Sequence, residues 1–127
     1  MPKEVNITLP TYSFSGKKKM HLNLNQYRNW HYRVSSNVKR NYYYAIQEYL
    51  DFEFTGEVSI HYDYYAPDKR VRDLMNVVSV VDKFFQDSMV MCGCILADDT
   101  SIVKDITVKY MGIDRNNSRI EATVKSI

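Results

Sequence analysis

The segment from residue 57 to residue 66 restricts the fold of this chain more than any other. Apolar and aromatic side chains alternate with polar ones along it, with Val58, Ile60 and Tyr62 on the same side. Such alternation is typical of a β-strand that buries one face and exposes the other. Pro67 ends the strand, because a proline has no N–H to donate to a sheet. The chain therefore needs a sheet with one covered face.

The next segment predicts a helix that covers that face of the sheet. From residue 74 to about residue 89 apolar residues recur at helical spacing, and Val77, Val81 and Phe85 lie on one stripe. That stripe indicates an amphipathic helix. Asp73 comes immediately before the first apolar residue, where an aspartate is a favoured helix N-cap.

Three more segments predict strands. Residues 5–9 alternate and stop at a proline, and residues 102–110 and 119–124 alternate again. Residues 112–117 contain Gly, Asp and Asn, which favour a turn. The last two strands are therefore expected to form a closing hairpin.

The remaining segments predict a loop and a second helix. Residues 11–25 carry serines, a glycine and a lysine triplet, which favour a long polar loop. Residues 26–50 place aromatic and apolar side chains at helical spacing, with a break or second N-cap expected at residues 35–37. The predicted fold is a single α+β domain, residues 1–127, with a four-stranded mixed sheet and two main helices packed on one face.

The length and the cysteines restrict the class of protein. A chain of 127 residues can bury one core without disulfides or a structural metal. Cys92 and Cys94 are separated by a single glycine, which disfavours a disulfide, so a reduced, cytoplasmic protein is expected. The sequence has neither an apolar leader nor a run of about 18 apolar residues, so neither secretion nor membrane insertion is expected.

The placement of the charges is more informative than their sum. A net charge of +2 is too small to indicate nucleic-acid binding by itself. The basic residues, however, form three clusters. These are Lys17, Lys18 and Lys19; Lys39 and Arg40; and Lys69, Arg70 and Arg72.

Asp73 joins the third basic cluster to the predicted helix, and a second acidic step, Asp98 and Asp99, follows that helix. If the helix folds back along the strands, the two acidic positions can lie at neighbouring strand ends. Carboxylates bind hard divalent cations and basic side chains bind phosphates, which is the combination that a metal-dependent nuclease requires. Simpler interpretations remain open: an N-cap for Asp73, a solvated loop for the basic run and a turn for Asp98-Asp99.

Several motifs together resemble the RusA-type endodeoxyribonucleases, the Holliday junction resolvases found in many bacteriophages and prophages. The resemblance spans nearly the whole chain. The motifs are Ile7-Thr8-Leu9-Pro10; Asn23-Leu24-Asn25-Gln26-Tyr27-Arg28 with Trp30-His31-Tyr32; Asp73-Leu74-Met75-Asn76 after an Arg-rich loop; and Ala97-Asp98-Asp99 before a strand.

The resemblance implies a homodimer, in the cytoplasm of a bacterial host, that binds four-way DNA junctions and nicks two symmetric strands with Mg²⁺ or Mn²⁺. It implies a catalytic group made of Asp73, Asn76, Asp98 and Asp99, in which the three aspartates hold the metal. Four such side chains have enough oxygens for one octahedral Mg²⁺ that keeps some of its waters. The expected DNA-binding residues are Lys17, Lys18, Lys19, Asn25, Arg28, Lys69, Arg70 and Arg72.

Two positions depart from the family's Arg-Asp-x-Asp-Asn-x-x-Lys run. Met75 stands where the second aspartate is expected, and a thioether cannot replace a carboxylate as a ligand of Mg²⁺. Ser79 stands where the lysine is expected, and serine supplies no positive charge to a phosphate. Asp63 and Asp82 are the acids considered as replacements for the missing second carboxylate.

These departures favour an alternative function, in which a RusA-like protein binds branched DNA or a protein partner without cutting. A third interpretation is an interaction module that uses its tyrosines, among them Tyr42-Tyr43-Tyr44 and those at residues 62–65. Aromatic side chains suit protein interfaces and stacking on unpaired bases equally, so they do not separate the three hypotheses.

Overall fold

Six strands and three α-helices make up the computed structural model, which describes residues 4–127. Three strands come first, followed by two helices, one strand, the third helix and two strands, and a short 3-10 turn, Gln47–Tyr49, follows the second helix. In chain order they are β1 (Glu4–Leu9), β2 (Tyr12–Ser15), β3 (Lys18–His21), α1 (Leu24–Asn29), α2 (Tyr32–Ile46), β4 (Val58–Ala66), α3 (Leu74–Met91), β5 (Val103–Ile113) and β6 (Arg119–Ser126).

Four of the strands form the main sheet, in the order β1-β6-β4-β5. β6 is antiparallel to both β1 and β4, whereas β4 and β5 run parallel. A parallel pair needs a crossover connection, and α3 supplies it by carrying the chain from the end of β4 back to the start of β5. β1 and β5 are the two edges of the sheet.

The core lies between one face of this sheet and the two long helices. β4 buries every second residue, as its alternation predicted. Tyr62 of β4 meets Phe85 of α3 with ring centroids 6.3 Å apart, and Tyr42 of α2 meets Phe84 of α3 at 5.7 Å. The predicted α+β fold, with a four-stranded mixed sheet and two main helices on one face, is confirmed.

Asp73 is the N-cap of α3. Its Oδ1 accepts a hydrogen bond from the Met75 N–H at 3.1 Å and so satisfies one of the free donors at the helix start. Gly93 follows the helix with φ of +77°, a left-handed conformation that favours glycine and commonly ends helices. No helix among residues 4–127 is both long and apolar enough to cross a lipid bilayer.

The predicted closing hairpin is wrong. β5 and β6 are not neighbours: β5 pairs with β4 at the edge, and β6 inserts between β1 and β4. Alternation along a strand determines which side chains face the core. It does not determine which strand lies beside it, because every register that keeps the same residues inward satisfies the pattern.

Residues 11–25 are not the predicted long loop, because β2 and β3 form a hairpin there. Gly16 lies in its turn with φ of +60°, which a residue with a Cβ adopts only with strain. The Ser13 hydroxyl donates to the Val38 carbonyl at 2.8 Å and holds the hairpin on α2.

The predicted break in the first long helix also lies elsewhere. The helix is interrupted at Trp30 and His31, between α1 and α2, rather than at residues 35–37. His31 Nδ1 accepts from the Arg33 N–H at 3.2 Å, so histidine is the N-cap. The Ser35 N–H donates to the His31 carbonyl, which places the serine within the continuous helix.

We predict that Tyr62→Phe destabilises the protein by about 1–2 kcal/mol. The buried Tyr62 hydroxyl donates to Asp82, whose Oδ1 also accepts from Gln86 Nε2 at 2.7 Å. Without the hydroxyl, the partly buried carboxylate keeps only the Gln86 hydrogen bond. Denaturant titration should give a lower midpoint with an unchanged slope.

Tyr44→Phe is the matched control, because Tyr44 is 61% exposed. It should leave the midpoint unchanged. An equal shift in both variants, or none in either, would contradict a stabilising role for the Tyr62 hydroxyl.

Candidate nucleic-acid interface

Asp73 and the Asp98-Asp99 step lie at opposite ends of α3. Asp73 follows the end of β4, whereas the Asp99 carbonyl accepts hydrogen bonds from Ile102 and Val103 at the start of β5. Since β4 and β5 run parallel, these are opposite ends of the sheet. The 18 residues of α3 between them span about 27 Å. The expectation that the two acidic positions converge is therefore wrong within one chain.

Asp98 pairs with a carboxylate that sequence reasoning missed, Asp87 of α3. A hydrogen bond with Asp87, followed by burial and the charge of Asp87, raises the pKa of Asp98. Burial works to raise the pKa of Asp87, but hydrogen bonds from Lys39 and Asp98 outweigh it and hold that pKa below its ordinary value. Lys39 Nζ lies 2.7 Å from Asp87 Oδ2, and Lys83 Nζ lies 3.8 Å from it. The pair is a proton-sharing contact braced by two lysines.

Asp99 organises the turn that leads into β5. Its Oδ1 accepts from the Ser101 N–H at 2.9 Å and from the Ser101 hydroxyl. Those two hydrogen bonds, the hydroxyl first, lower the pKa of Asp99. The carboxylate therefore has a structural role as a turn residue, as the simpler interpretation of the sequence proposed.

The residues proposed to hold Mg²⁺ do not fit one metal ion within a single chain. Within residues 4–127, no three His, Cys, Asp or Glu side chains are grouped so that they could hold a metal. Asp73 is an exposed N-cap, and Asn76 is half-buried one turn into the helix. Neither lies near the Asp98-Asp99 step.

The two acids considered as replacements already have partners. Asp63 accepts from His61 Nε2 at 2.8 Å on the face of β4 away from the helices. Asp82, on α3, accepts hydrogen bonds from Tyr62 and Gln86. Neither of them therefore supplies a second carboxylate beside Asp73.

Basic side chains gather instead at the end of the sheet where β1 and β4 terminate. Two depressions of about 500 and 400 Å³ adjoin there and share Thr11, His21, Pro67 and Ser118 in their walls. We call this surface the basic groove. Its cationic and imidazole side chains are Lys19, His21, Arg70, Arg72, Arg115 and Arg119.

The loop after β4 is held by its own charges. Asp68 Oδ1 accepts from the Arg70 N–H at 2.9 Å and from Arg72 Nη2 at 2.8 Å, and the Arg70 hydrogen bond, followed by Arg72, lowers the pKa of Asp68. Arg72 Nη1 donates to the Arg70 carbonyl at 3.1 Å. Arg72 therefore fixes the loop, while the Arg70 side chain stays exposed.

The hairpin supplies the second wall of the groove. Lys19 Nζ lies 4.2 Å from the centroid of the Tyr12 ring, a cation–π contact that holds the amine over the groove. Lys18, Lys19 and Asn25 line a further depression that shares Lys19 and His21 with the groove. Predicted DNA-binding residues from distant parts of the sequence are thus contiguous.

Three of the predicted DNA-binding residues lie outside this contiguous surface. Lys17 is at the hairpin turn. Lys69 lines an adjoining depression with Tyr64, Leu74 and Tyr110. Arg28 lies in a separate one, beside Tyr32 and Lys39.

Sequence reasoning missed His21, Arg115 and Arg119. The stretch that contains Arg115 was interpreted only as a turn, although its basic residue was a usable signal. Arg119 lies 3.9 Å above the Tyr65 ring centroid and pairs with Asp114 at 2.9 Å and Glu121 at 3.2 Å. Much of its charge is therefore neutralised, and Arg115 is the more available cation.

No protein-family model matches this chain, and no curated protein matches it.

We predict that Asp98→Asn and Asp99→Asn change thermal stability in opposite directions at neutral pH. The raised pKa of Asp98 means that its protonated form stabilises the fold and that this contribution is lost as the pH rises. Asparagine still donates to Asp87 without the charge, so Asp98→Asn should raise the melting temperature. The lowered pKa of Asp99 means that its ionised form stabilises the fold, so Asp99→Asn should lower it.

The Asp98 difference should shrink as the pH falls through the raised pKa of Asp98, above the ordinary aspartate value, and the Asp99 difference only at lower pH, as the pH falls through the lowered pKa of Asp99. Calorimetry of the two variants and the parent between acidic and neutral pH measures this. A melting temperature that falls for Asp98→Asn at neutral pH would contradict the proton-sharing contact.

Proposed function

We propose that this protein is a structure-specific endodeoxyribonuclease that binds four-way DNA junctions and nicks them as a homodimer with Mg²⁺ or Mn²⁺, in the cytoplasm of a bacterial host. The observation that supports DNA binding is the basic groove. It joins cations from the hairpin, the loop after β4 and the turn before β6 at one end of the sheet.

Phosphate binding follows from the charges in the groove. A DNA backbone carries closely spaced negative charges, and each cation that contacts a phosphate releases a condensed counterion. With a net charge of +2, the protein attracts DNA through this local cluster rather than through its overall charge. Arg70 and Arg115 are the exposed guanidinium groups of the groove, and the Asp68–Arg72 pair keeps the loop of Arg70 in place.

The shape of the surface suits a branch point better than a straight duplex. Tyr110 is 52% exposed, and its ring lies 6.2 Å from that of Tyr64, in the depression that also contains Lys69 and Arg70. Exposed rings beside cations stack on exposed base faces, and an open four-way junction exposes base faces at its branch point although its bases stay paired. The groove and this depression share Arg70 and Arg72.

Asp73 supports the nuclease proposal by its position. It follows Arg72 directly, so an exposed carboxylate lies at the edge of the surface proposed to hold the DNA strand. A hydrolytic site needs more than one carboxylate to hold its cation, and Met75, two residues after Asp73 and 48% exposed, adds none. Any further acid must come from elsewhere.

The alternative is a protein that binds branched DNA without cutting it. The distance between Asp73 and the Asp98-Asp99 step along α3 favours it, as does Met75. DNA binding by the groove is common to both proposals, so the alternative differs only in that the protein does not cleave the DNA.

We predict that Arg70→Gln with Arg115→Gln weakens binding to a four-way junction and lowers the slope of log affinity against log salt by about 1.8, since each phosphate that is no longer neutralised accounts for about 0.9. Gel shifts of a junction and a matched duplex at several salt concentrations measure this. The control is Arg40→Gln with Lys125→Gln, which removes two charges outside the groove. Equal slopes for both double variants would place the DNA elsewhere.

We predict that Asp73→Asn abolishes nicking of a mobile four-way junction with Mg²⁺ or Mn²⁺ and leaves junction binding intact, because it removes a metal ligand and no phosphate-binding cation. The N-cap hydrogen bond survives, since asparagine caps helices as well as aspartate. Glu53→Gln is the control, because Glu53 is an exposed acid outside the groove. A parent that binds junctions but nicks none of them under either metal would support the alternative.

A further inference from the structure

The hairpin of β2 and β3 places two aromatic rings and two basic side chains on its outer face. Its register sets Tyr12 opposite His21 and Phe14 opposite Lys19. All four side chains are exposed, and the two rings are 36% and 42% exposed. Exposed aromatic rings beside cations are the kind of surface on which unpaired bases stack.

The hairpin is fixed on α2, so its rings are held in place before any partner binds. The buried Ser13 hydroxyl donates to the Val38 carbonyl, and Asn41 Nδ2 donates to the Phe14 carbonyl at 2.8 Å. Met20, on the inner face of the hairpin, is buried in the core. Because a rigid surface loses little conformational entropy on binding, these contacts favour recognition by the two rings.

The charged side chains around the rings are all basic. Residues 11–22 contain Lys17, Lys18, Lys19 and His21 and neither aspartate nor glutamate. In the part of the chain that the structure describes, no acidic side chain lines the larger depression of the basic groove or the adjoining depression of about 570 Å³. The hairpin is therefore complementary to a polyanion that carries flat aromatic groups, which is the chemistry of a nucleic acid.

The arrangement of the rings suits bases that are splayed apart rather than bases in a duplex. The centroids of Tyr12 and Phe14 are 5.8 Å apart, and the ring planes are almost perpendicular, at 89°. Bases along one strand of a duplex follow one another about every 3.4 Å in parallel planes, so the two rings cannot both join one stack. Each ring can instead take one base of an extended single strand.

One face of the Tyr12 ring already holds a cation. Lys19 Nζ lies 4.2 Å from the ring centroid. When a base takes the place of the amine on that face, the flexible lysine is free to bind the neighbouring phosphate. Tyr12 and Lys19 together can therefore bind both the base and the phosphate of one nucleotide.

We propose that the outer face of the hairpin binds unpaired bases of single-stranded DNA. Tyr12 and Phe14 stack on two bases of the strand, and Lys18 and Lys19 bind its phosphates.

This inference deepens the proposed function, on which it rests for the DNA in the basic groove. Tyr12, Lys19 and His21 also line that groove, so the groove and the hairpin form one continuous surface. The groove would hold a paired arm and the hairpin an unpaired strand. The substrate class that fits both is a branched DNA with a single-stranded segment at its branch, and a fully paired four-way junction lacks that segment.

An abasic strand tests for stacking, because it has the phosphates of DNA without the bases. Fluorescence anisotropy measures the binding of labelled oligothymidine and of an abasic strand of equal length, and the parent should prefer oligothymidine. Tyr12→Leu with Phe14→Leu should weaken oligothymidine binding by about tenfold or more and leave binding of the abasic strand unchanged. Leucine keeps an apolar side chain at both positions and removes only the rings.

Tyr49→Leu is the matched control and should bind both strands as the parent does. Tyr49 is 54% exposed, and it precedes Leu50, whose carbonyl accepts from Cys92 and Cys94 beyond the C-terminal end of α3. A parent with equal affinity for the two strands would overturn the proposal, as would equal losses in the control and the double variant. A parent that binds neither strand would leave the hairpin to an acidic protein partner and would also overturn it.

Salt dependence separates the lysines from the rings. Lys18→Gln with Lys19→Gln should lower the slope of log affinity against log salt for oligothymidine by about 1.4, since each phosphate on a single strand accounts for about 0.7. The double leucine variant should keep the parental slope, because it removes no charge. A parental slope in the lysine variant would overturn the proposal.

Forked DNA separates this inference from the proposed function. The parent should bind a fork with one single-stranded arm more tightly than the same fork with both arms paired, and the double leucine variant should lose that preference. Binding of four-way junctions without this preference would overturn the inference and leave the proposed function intact. Binding of single strands by a protein that neither binds nor nicks four-way junctions would overturn the proposed function and leave the inference intact.

Discussion

The parallel pairing of β4 and β5 determines how far Asp73 lies from the Asp98-Asp99 step. A parallel pair requires the chain to return the whole length of the sheet before the second strand begins, and α3 makes that return. Whatever follows β4 is therefore placed far from whatever precedes β5. The basic groove and the Asp87-Asp98 pair are at opposite ends for this reason, and no side-chain rearrangement within one chain brings them together.

The sequence predicted the elements that carry a strong periodic pattern. Alternation in β4, the apolar stripe of α3 and the cap at Asp73 are local properties, and each is confirmed. The neighbours of β5 and β6 could not be predicted, because alternation specifies a face and not a partner. For the same reason the groove could not be predicted from the sequence. Its basic residues come from three distant segments, and His21 and Arg115 lie near Arg70 only after the sheet has folded.

Several charged side chains of this molecule pair with one another. Arg72 stabilises a loop, Arg119 lies between Asp114 and Glu121, and Lys39 holds a partly buried carboxylate of α3. Within the groove, what remains for a polyanion is a small number of exposed cations, chiefly Arg70 and Arg115. In the proposed complex with DNA, such cations would contact phosphates rather than base edges, which would favour salt-sensitive, shape-dependent recognition over base-specific contacts.

The position of β6 has a consequence for how the protein folds. It is the last strand of the sheet in chain order, yet it lies between β1 and β4 and hydrogen-bonds to both. During synthesis β1 and β4 leave the ribosome without the strand that joins them, so the sheet cannot assemble until residue 126 has emerged. Contacts between β1 and β6 span more than 110 residues, and such long-range pairing slows folding. The nascent chain must therefore stay soluble through most of its synthesis without β6, the strand that joins β1 to β4.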